Sequence, residues 1–447
     1  MIEALFMASI KRDEASPGFP SGTPARTNFM CPIISSTLNL MLLSISITFM
    51  AFMMRVFNLA KPKGLVFDEI YYVNGAREYL KYGVEIKNGA AEFVVHPPVG
   101  KWLIALGIKV FGDNEFGWRI AATIAGTFTV YLTARIAKRI FHENRWANLA
   151  ALLMTLDGLN LVMSRTALLD IFLTLFVLLT FNAWLKGKYL QMALFAGLAM
   201  GCKWSAIYFV ILLLILELVL NRDLIRTLRV GVTSLLVYII AWTGWFNSNS
   251  GWDRHSKSNP LASLLYYHKE MLGFHTGLTE KHSYQANPWS WIVMGRPTSF
   301  FYQAPKGCGV KDCAQEVLAI GTPLLWWLGA LVLLFLIGIN FHNLAMRQVD
   351  LASLIPFIGI AAGYLPWFFF QKRTVFTFYA IVFEPFLILA IVLLAKIAYE
   401  YDERFKYLIA AFVIAIAINF AYFYPIFTGE ITTYSKWLSR MWWSSWI

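Results

Sequence analysis

Two adjacent carboxylates, Asp68 and Glu69, follow Phe67 and precede Ile70-Tyr71-Tyr72 in a chain of 447 residues. In a loop such a pair is ordinarily solvated surface. Beside apolar and aromatic neighbours the two charges repel, which displaces at least one pKa and lets one carboxylate serve as a general base. Phe67, Ile70, Tyr71 and Asn74 recur at i, i+3, i+4 and i+7. That spacing predicts a short helix on a membrane surface with Asp68 in its first turn. Further along comes Val95-His96-Pro97-Pro98-Val99-Gly100-Lys101-Trp102. Pro97 turns His96 away from helix and the two prolines stiffen the backbone. The segment is either the entry turn of an apolar helix or a place where His96 and Lys101 meet a lipid phosphate.

Arg119, Arg165, Asp170 and Lys203 lie at or just inside the ends of apolar runs. A charge at the centre of a membrane helix costs roughly 3 kcal/mol, and less near an end, where the side chain snorkels. Arg119 and Lys203 are therefore either snorkelling anchors or anion receivers. Asp170 is too short to snorkel far and is expected to pair with a cation such as Arg165. Arg55, at the end of the first apolar run, is an anchor or a partner for the acidic loop. Arg296 closes an aromatic segment, Tyr284-Gln-Ala-Asn-Pro-Trp-Ser-Trp, followed by Ile292-Val-Met-Gly-Arg296-Pro297, and is either solvated or anion-binding. His268, His275 and His282 recur every seventh residue, which on a helix separates them by about 10.5 Å. A zinc ion with bonds of about 2 Å cannot be shared over that distance, so no metal site is expected from them alone. Cys308 and Cys313 form a disulfide on an oxidising side or stay as inert thiols, and neither case implies catalysis.

These residues must be positioned by membrane helices. The chain is 58% hydrophobic and 14% charged, with mean hydropathy +0.57, against about 25% charged for a soluble domain. A soluble enzyme is excluded. The net charge of +12 implies attraction to anionic lipid headgroups or an anionic lipid substrate. Residues 1–36 read as a disordered cytoplasmic tail. The uncharged run from Thr37 to Met54, followed by Arg55 and Lys61, reads as an uncleaved signal anchor. Ten further apolar runs, near 118–136, 147–163, 167–185, 189–205, 206–221, 230–246, 318–340, 351–370, 375–395 and 407–425, predict about eleven spans.

Basic residues gather in alternate short connections: Arg135, Lys138, Arg139 and Arg145; Lys186 and Lys188; Arg222, Arg226 and Arg229; Arg347; Lys396, Arg404 and Lys406. The opposite short loops hold Arg165, Lys203, Lys372 and Arg373. The positive-inside rule then places the N-terminus in the cytoplasm and the C-terminus outside. Two long loops, about 58–117 and 247–317, face outward. The last segment, 426–447, interleaves Trp with Lys436 and Arg440 and reads as an interfacial anchor.

The sequence resembles the protein O-mannosyltransferases, in particular their bacterial, actinobacterial-type members, over most of the chain after residue 50. The resemblance rests on Arg55 ahead of Phe67-Asp68-Glu69, His96-Pro97-Pro98-x-Gly100-Lys101, Gly117-Trp118-Arg119, Arg165-x4-Asp170 and Gly201-Cys202-Lys203-Trp204. It continues through Asn287-Pro288-Trp289-x-Trp291, Gly321-Thr322-Pro323-x2-Trp326-Trp327 and Arg373-x2-Phe376-x2-Tyr379. It implies an all-α polytopic GT-C glycosyltransferase fold with a catalytic membrane domain over 37–425. It also implies inverting transfer of mannose from a polyprenyl-phosphate-mannose donor to Ser or Thr hydroxyls of secretory polypeptides at the plasma membrane.

Carried over, Asp68 would be the general base and Glu69 would orient acceptor or sugar. His96 and Arg119 foremost, with Lys101, Arg165, Lys203, Arg296 and Arg373, would bind the lipid phosphate or sugar, supported by Arg55 and Asp170. No cofactor is firmly implied, a divalent-metal requirement stays open, and nucleic acid is not expected as a partner. Contact with the Sec translocon is an expectation, because an acceptor arrives unfolded. Eukaryotic relatives insert a β-trefoil domain, called MIR, in the second outward loop, and 247–317 is too short to hold one. Two other readings remain: transfer of a different prenyl-linked sugar to glycan or lipid, and transport of a lipid-linked sugar.

Overall fold

A computed structural model describes residues 30–447, with side chains from Leu42 onward. The expected tail lies outside the described residues up to residue 29, and from Met30 the chain is already helical. Helix α1 spans Met30–Val56 and α2 Glu69–Tyr82. A minimal hairpin, β1 (Ile86–Lys87) with β2 (Ala90–Ala91), leads to α3 (Val99–Phe111) and α4 (Glu115–Phe141). Next come α5 (Asn144–Thr155), α6 (Gly158–Met163), α7 (Asp170–Trp184), α8 (Tyr189–Cys202), α9 (Ala206–Asn221) and α10 (Leu224–Ile240). A short α11 (Thr243–Asn247) leads into the second long loop, which holds α12 (Pro260–Gly277).

Polar side chains cap several of these helices at their N-termini. Asn114 accepts from the Gly117 amide at the head of α4, Asp157 from Asn160 at α6, Asp223 from Arg226 at α10 and Asn259 from Ala262 at α12. Each cap satisfies an amide that no helix bond reaches. Helix α4 packs against α1, α3, α5 and α7. The turn after α6 also approaches it: a Cβ on Gly126 would sit 1.8 Å from Ser164 Oγ, so only glycine permits this approach.

The second half adds α13 (Pro323–Ala345), α14 (Leu351–Tyr364), α15 (Glu384–Tyr401) and α16 (Phe405–Thr428). Helix α15 is buried along Phe386–Leu393 on all sides, as expected of a helix that is apolar all round. Helices α13 and α16 instead expose Leu331, Leu334, Phe341 and Leu344, and Tyr407, Leu408, Ile414 and Ile418. Those faces suit lipid. Among the described residues, Glu115–Phe141, Pro323–Ala345, Leu351–Phe370 and Phe405–Thr428 are long and apolar enough to cross a membrane, and several shorter apolar helices accompany them.

The all-α expectation is corrected by a second sheet. Strand β3 (Thr298–Gln303) pairs antiparallel with β4 (Cys313–Ala319), pairing Gln303 with Gln315, and β4 pairs with β5 (Ile431–Thr433). Cys308 and Cys313 are joined in a disulfide between β3 and β4. Leu318 and Ala319, read as the start of a span, end the central strand, and the helix begins at Pro323. A short apolar run carries too little period to separate strand from helix. Beyond β5, α17 (Tyr434–Leu438) and its sequel fold back onto the body. Trp437 donates to Glu316 and Trp446 to the Met294 carbonyl, while Trp442 and Trp443 stay partly exposed. The expected anchor is thus partly built into the protein.

Candidate active site

The carboxylate pair sits at the head of α2, and its two members face different surroundings. Asp68 occupies the N-cap position; its carbonyl accepts from the amides of Tyr71 and Tyr72, but its carboxylate makes no capping bond. Phe67, just before it, has φ of 47°, a left-handed backbone that a phenylalanine rarely adopts. Its ring stacks on Phe300 at 4.6 Å and meets Phe376, Phe378 and His282 edge-on. This aromatic box fixes the turn that separates Asp68 from Glu69. The predicted helix forms, but Ile70, Tyr71 and Asn74 stay exposed, and the packed face is Tyr72, Val73 and Ala76.

Glu69 is fully buried. Its Oε1 accepts from Arg119 Nε at 2.8 Å and the Ala167 amide at 2.9 Å. Its Oε2 accepts from Arg119 Nη2 and the Val66 amide, each at 2.9 Å. Arg119, also fully buried, donates its other N–H groups to the carbonyls of Leu59, Pro62 and Gly64. Both groups are therefore engaged within the protein.

Asp68 keeps different company. Its carboxyl is pushed up to about 6, first by burial and then by Asp170, while Lys203 pulls it back. Lys203, at the end of α8, reaches Asp170 at the head of α7, with Nζ 2.9 and 3.1 Å from the two carboxylate oxygens. The same ammonium lies 4.1 Å from the centre of the Tyr379 ring. The expected Arg165–Asp170 pair is corrected: Arg165 turns away and donates to the carbonyls of Arg55, Phe57 and Asn58. Arg55 is buried against Ser164, Asn160 and the Ala51 carbonyl.

On another wall, the His96 ring lies 5.3 Å from that of His275 and 6.1 Å from that of Tyr72. Burial, with Lys203 and His275 nearby, holds His96 well below its ordinary value, and its Nδ1 has no protein partner. His275 Nε2 bonds the Val95 carbonyl at 2.8 Å, and its Nδ1 lies 3.2 Å from Arg373 Nη2. That arrangement makes Nε2 the protonated nitrogen. Burial and Arg373 lower His275 to about 4. Arg373 Nε is buried without a protein partner. Two neutral imidazoles and an arginine with a spare N–H thus gather near Lys203, the ammonium that also acts on Asp68.

The other expected cations are placed elsewhere. Lys101 is buried in a 2.5 Å contact with Glu85. Arg296 straps the Ser283 carbonyl to the carbonyls of Ser445 and Ile447. The three histidines do not converge: His268 bonds Tyr238, His275 bonds Val95, and His282 accepts from the Tyr284 amide. Sequence reasoning missed His275, dismissed with the metal question, and Tyr379, whose signal lay in Arg373-x2-Phe376-x2-Tyr379. Chemically, the arrangement joins a carboxylate near neutrality with cationic donors suited to an anion.

Three family models match the chain. Residues 45–114 and 95–245 match models described as dolichyl-phosphate-mannose-protein mannosyltransferase, and 260–446 matches the C-terminal four-span region of protein O-mannosyltransferase. A relative from Mycolicibacterium smegmatis named polyprenol-phosphate-mannose--protein mannosyltransferase is 32% identical, covering 90% of this chain and 92% of its own. One from Mycobacterium tuberculosis with the same name is 30% identical over 85% of this chain and 86% of its own. Among solved structures, the Pmt1-Pmt2 complex of S. cerevisiae bound to the sugar donor superposes with a TM-score of 0.74 at 15% identity. The match covers 92% of this chain and 93% of that one.

Proposed function

The chain belongs to the protein O-mannosyltransferase family, and from that membership we propose how it transfers mannose from polyprenyl-phosphate-mannose to protein: Asp68 takes the acceptor's proton. It is a glycosyltransferase with a polytopic membrane fold of the GT-C kind. The Ser or Thr oxygen attacks the anomeric carbon as the bond from that carbon to the phosphate oxygen breaks. The hydroxyl proton goes to Asp68, and the bond electrons leave with the polyprenyl phosphate. One displacement on the face opposite the phosphate inverts the anomeric carbon without a covalent intermediate.

The observation that carries this reading is the Asp68 carboxylate, raised to about 6 and left uncapped beside the Lys203–Asp170 pair. A carboxyl near 6 is ionised at neutral pH yet basic enough to accept a proton. Lys203 retains donor capacity beyond Asp170, and Arg373 Nε is unengaged, so we assign both to the leaving phosphate, with His96 as a neutral hydrogen-bonding neighbour. Glu69 and Arg119 we assign to holding the head of α2, because their polar atoms are taken up by each other and by backbone. We place the reaction on the extracytoplasmic face of the plasma membrane, in a chain of about eleven spans with an inside N-terminus, and expect acceptors to arrive from a translocon.

Membranes containing the protein, polyprenyl-phosphate-linked radiolabelled mannose and a Ser/Thr-rich peptide test this directly. Label should enter the peptide and be lost in Asp68→Asn at unchanged protein level; undiminished transfer by that variant sinks Asp68 as the base.

A further inference from the structure

A separate cleft of about 550 Å³ shares no lining residue with the cluster around Asp68. That is within the range of about 300–1,000 Å³ typical of ligand sites. One wall is the sheet: Phe301 and Gln303 contribute from alternate positions of β3, and Gln315 faces Gln303 from β4. The opposite wall is the loop after α1, with Lys61, and Tyr424 and Glu430 close the end.

We propose that this cleft seats an extended segment of the acceptor polypeptide beside the residue that receives mannose, resting on the transfer to protein assigned above. The lining has both charge signs and amide side chains. Lys61 and Glu430 are exposed at it, Gln303 donates to Gln315, and Gln315 donates to the Gly429 carbonyl at 2.6 Å. Peptide groups need donors and acceptors together, and alternate strand positions match the two-residue period of an extended chain. A phosphate headgroup would meet Lys61 and Lys63 but also Glu430, which repels it. Aromatic rings at Phe301 and Tyr424 add apolar area for a side chain.

The cleft is also near the chemistry and tied to it. Lys63, which lines the cleft, lies five positions before Asp68, which bounds their separation at about 18 Å. Arg119 holds the Pro62 and Gly64 carbonyls and, on its other side, Glu69. A hydroxyl a few residues along the seated segment therefore reaches Asp68 around Phe67.

The test uses the full-length protein in detergent with two acceptors, a long Ser/Thr peptide and a Ser/Thr tripeptide. Gln303→Trp, which fills the cleft from an exposed position, and Glu430→Lys, which reverses its charge, are compared with the unaltered chain. Each should raise KM for the long peptide about tenfold with kcat unchanged, the sign of lost uniform binding, and leave the tripeptide reaction alone. Unchanged KM for the long peptide in both variants overturns the proposal. A rise confined to KM for the lipid donor, or weakened retention on phosphatidylglycerol vesicles, makes the cleft a headgroup site and also overturns it. A benzophenone-bearing long peptide gives a readout independent of turnover. Cross-links within 57–63, 301–303 or 428–431 support the cleft even if no mannose moves, which would refute only the transfer reading, whereas cross-links elsewhere refute the cleft.

Discussion

Arg119 grips both oxygens of Glu69, at 2.8 and 2.9 Å, from fifty positions along the chain, and neither side chain is exposed. The pair joins the head of α2 to the head of α4, and the same guanidinium gathers the loop between Leu59 and Gly64. The charge of Arg119 is thereby neutralised within the protein, and it orients its neighbours.

Arg119→Ala should leave Glu69 buried without its partner, a loss of about 3–5 kcal/mol for a buried pair. Arg119→Lys should recover little, because an ammonium cannot form the two-pronged contact. Thermal unfolding in detergent is the measurement: a marked fall in Tm is expected for both. A variant that keeps its Tm and changes only KM for the lipid donor would return Arg119 to the phosphate.

The rate should follow the ionisation of Asp68. With its carboxyl raised to about 6, kcat/KM should be flat at neutral pH and fall about tenfold per unit below 6 as the base is protonated. Asp170 is the like charge that helps raise it. Asp170→Asn should therefore shift this acidic limb to lower pH. A limb that stays in place when Asp170 is neutralised would belong to another group.

Phe67 carries two separable loads, a left-handed backbone and a ring in an aromatic box. Phe67→Gly relieves the first and removes the second, whereas Phe67→Ala keeps the strain without the ring. The glycine variant should be the more stable of the two by roughly 1–2 kcal/mol. Both should lose kcat, since Asp68 is no longer held, and Phe67→Tyr should retain most of it. Tm and kcat measured on the same preparations separate the effects.

Arg373 should matter when the phosphate leaves. Arg373→Ala is expected to lower kcat about 100-fold, the scale for removing one donor from developing negative charge, with KM for a peptide acceptor little changed. A loss seen only in the peptide KM would move Arg373 to the acceptor.

Chemistry was more legible in the sequence than pairing. Asp68-Glu69 announced itself by type, and the helical spans by apolar length. What the sequence concealed depended on distant partners. Asp170 has Arg165 five residues away, yet it pairs with Lys203, thirty-three residues on, because α7 and α8 pack side by side and bring their ends together. The segment Thr166–Leu169 is not helical, so Arg165 does not share a helix face with Asp170. His275 shows the same limit: its partner, the Val95 carbonyl, is 180 positions away. Strand β4 was hidden for a different reason: every residue of Cys313–Ala319 is buried, so no in-out alternation shows, and Gln315-Glu316 interrupt its apolar residues.

Arg165 also has a consequence for how the chain is made. The last carbonyls of a helix have no partner within it; at the end of α1, the Arg55 carbonyl and, just beyond Val56, those of Phe57 and Asn58 are met by the Arg165 guanidinium. This cap is encoded more than a hundred residues after the helix it closes. Until synthesis has delivered it, the carbonyls of Arg55 and Phe57 must be satisfied with water. The arrival of residue 165 dries them, so completion of the end of α1 waits on the folding of later elements.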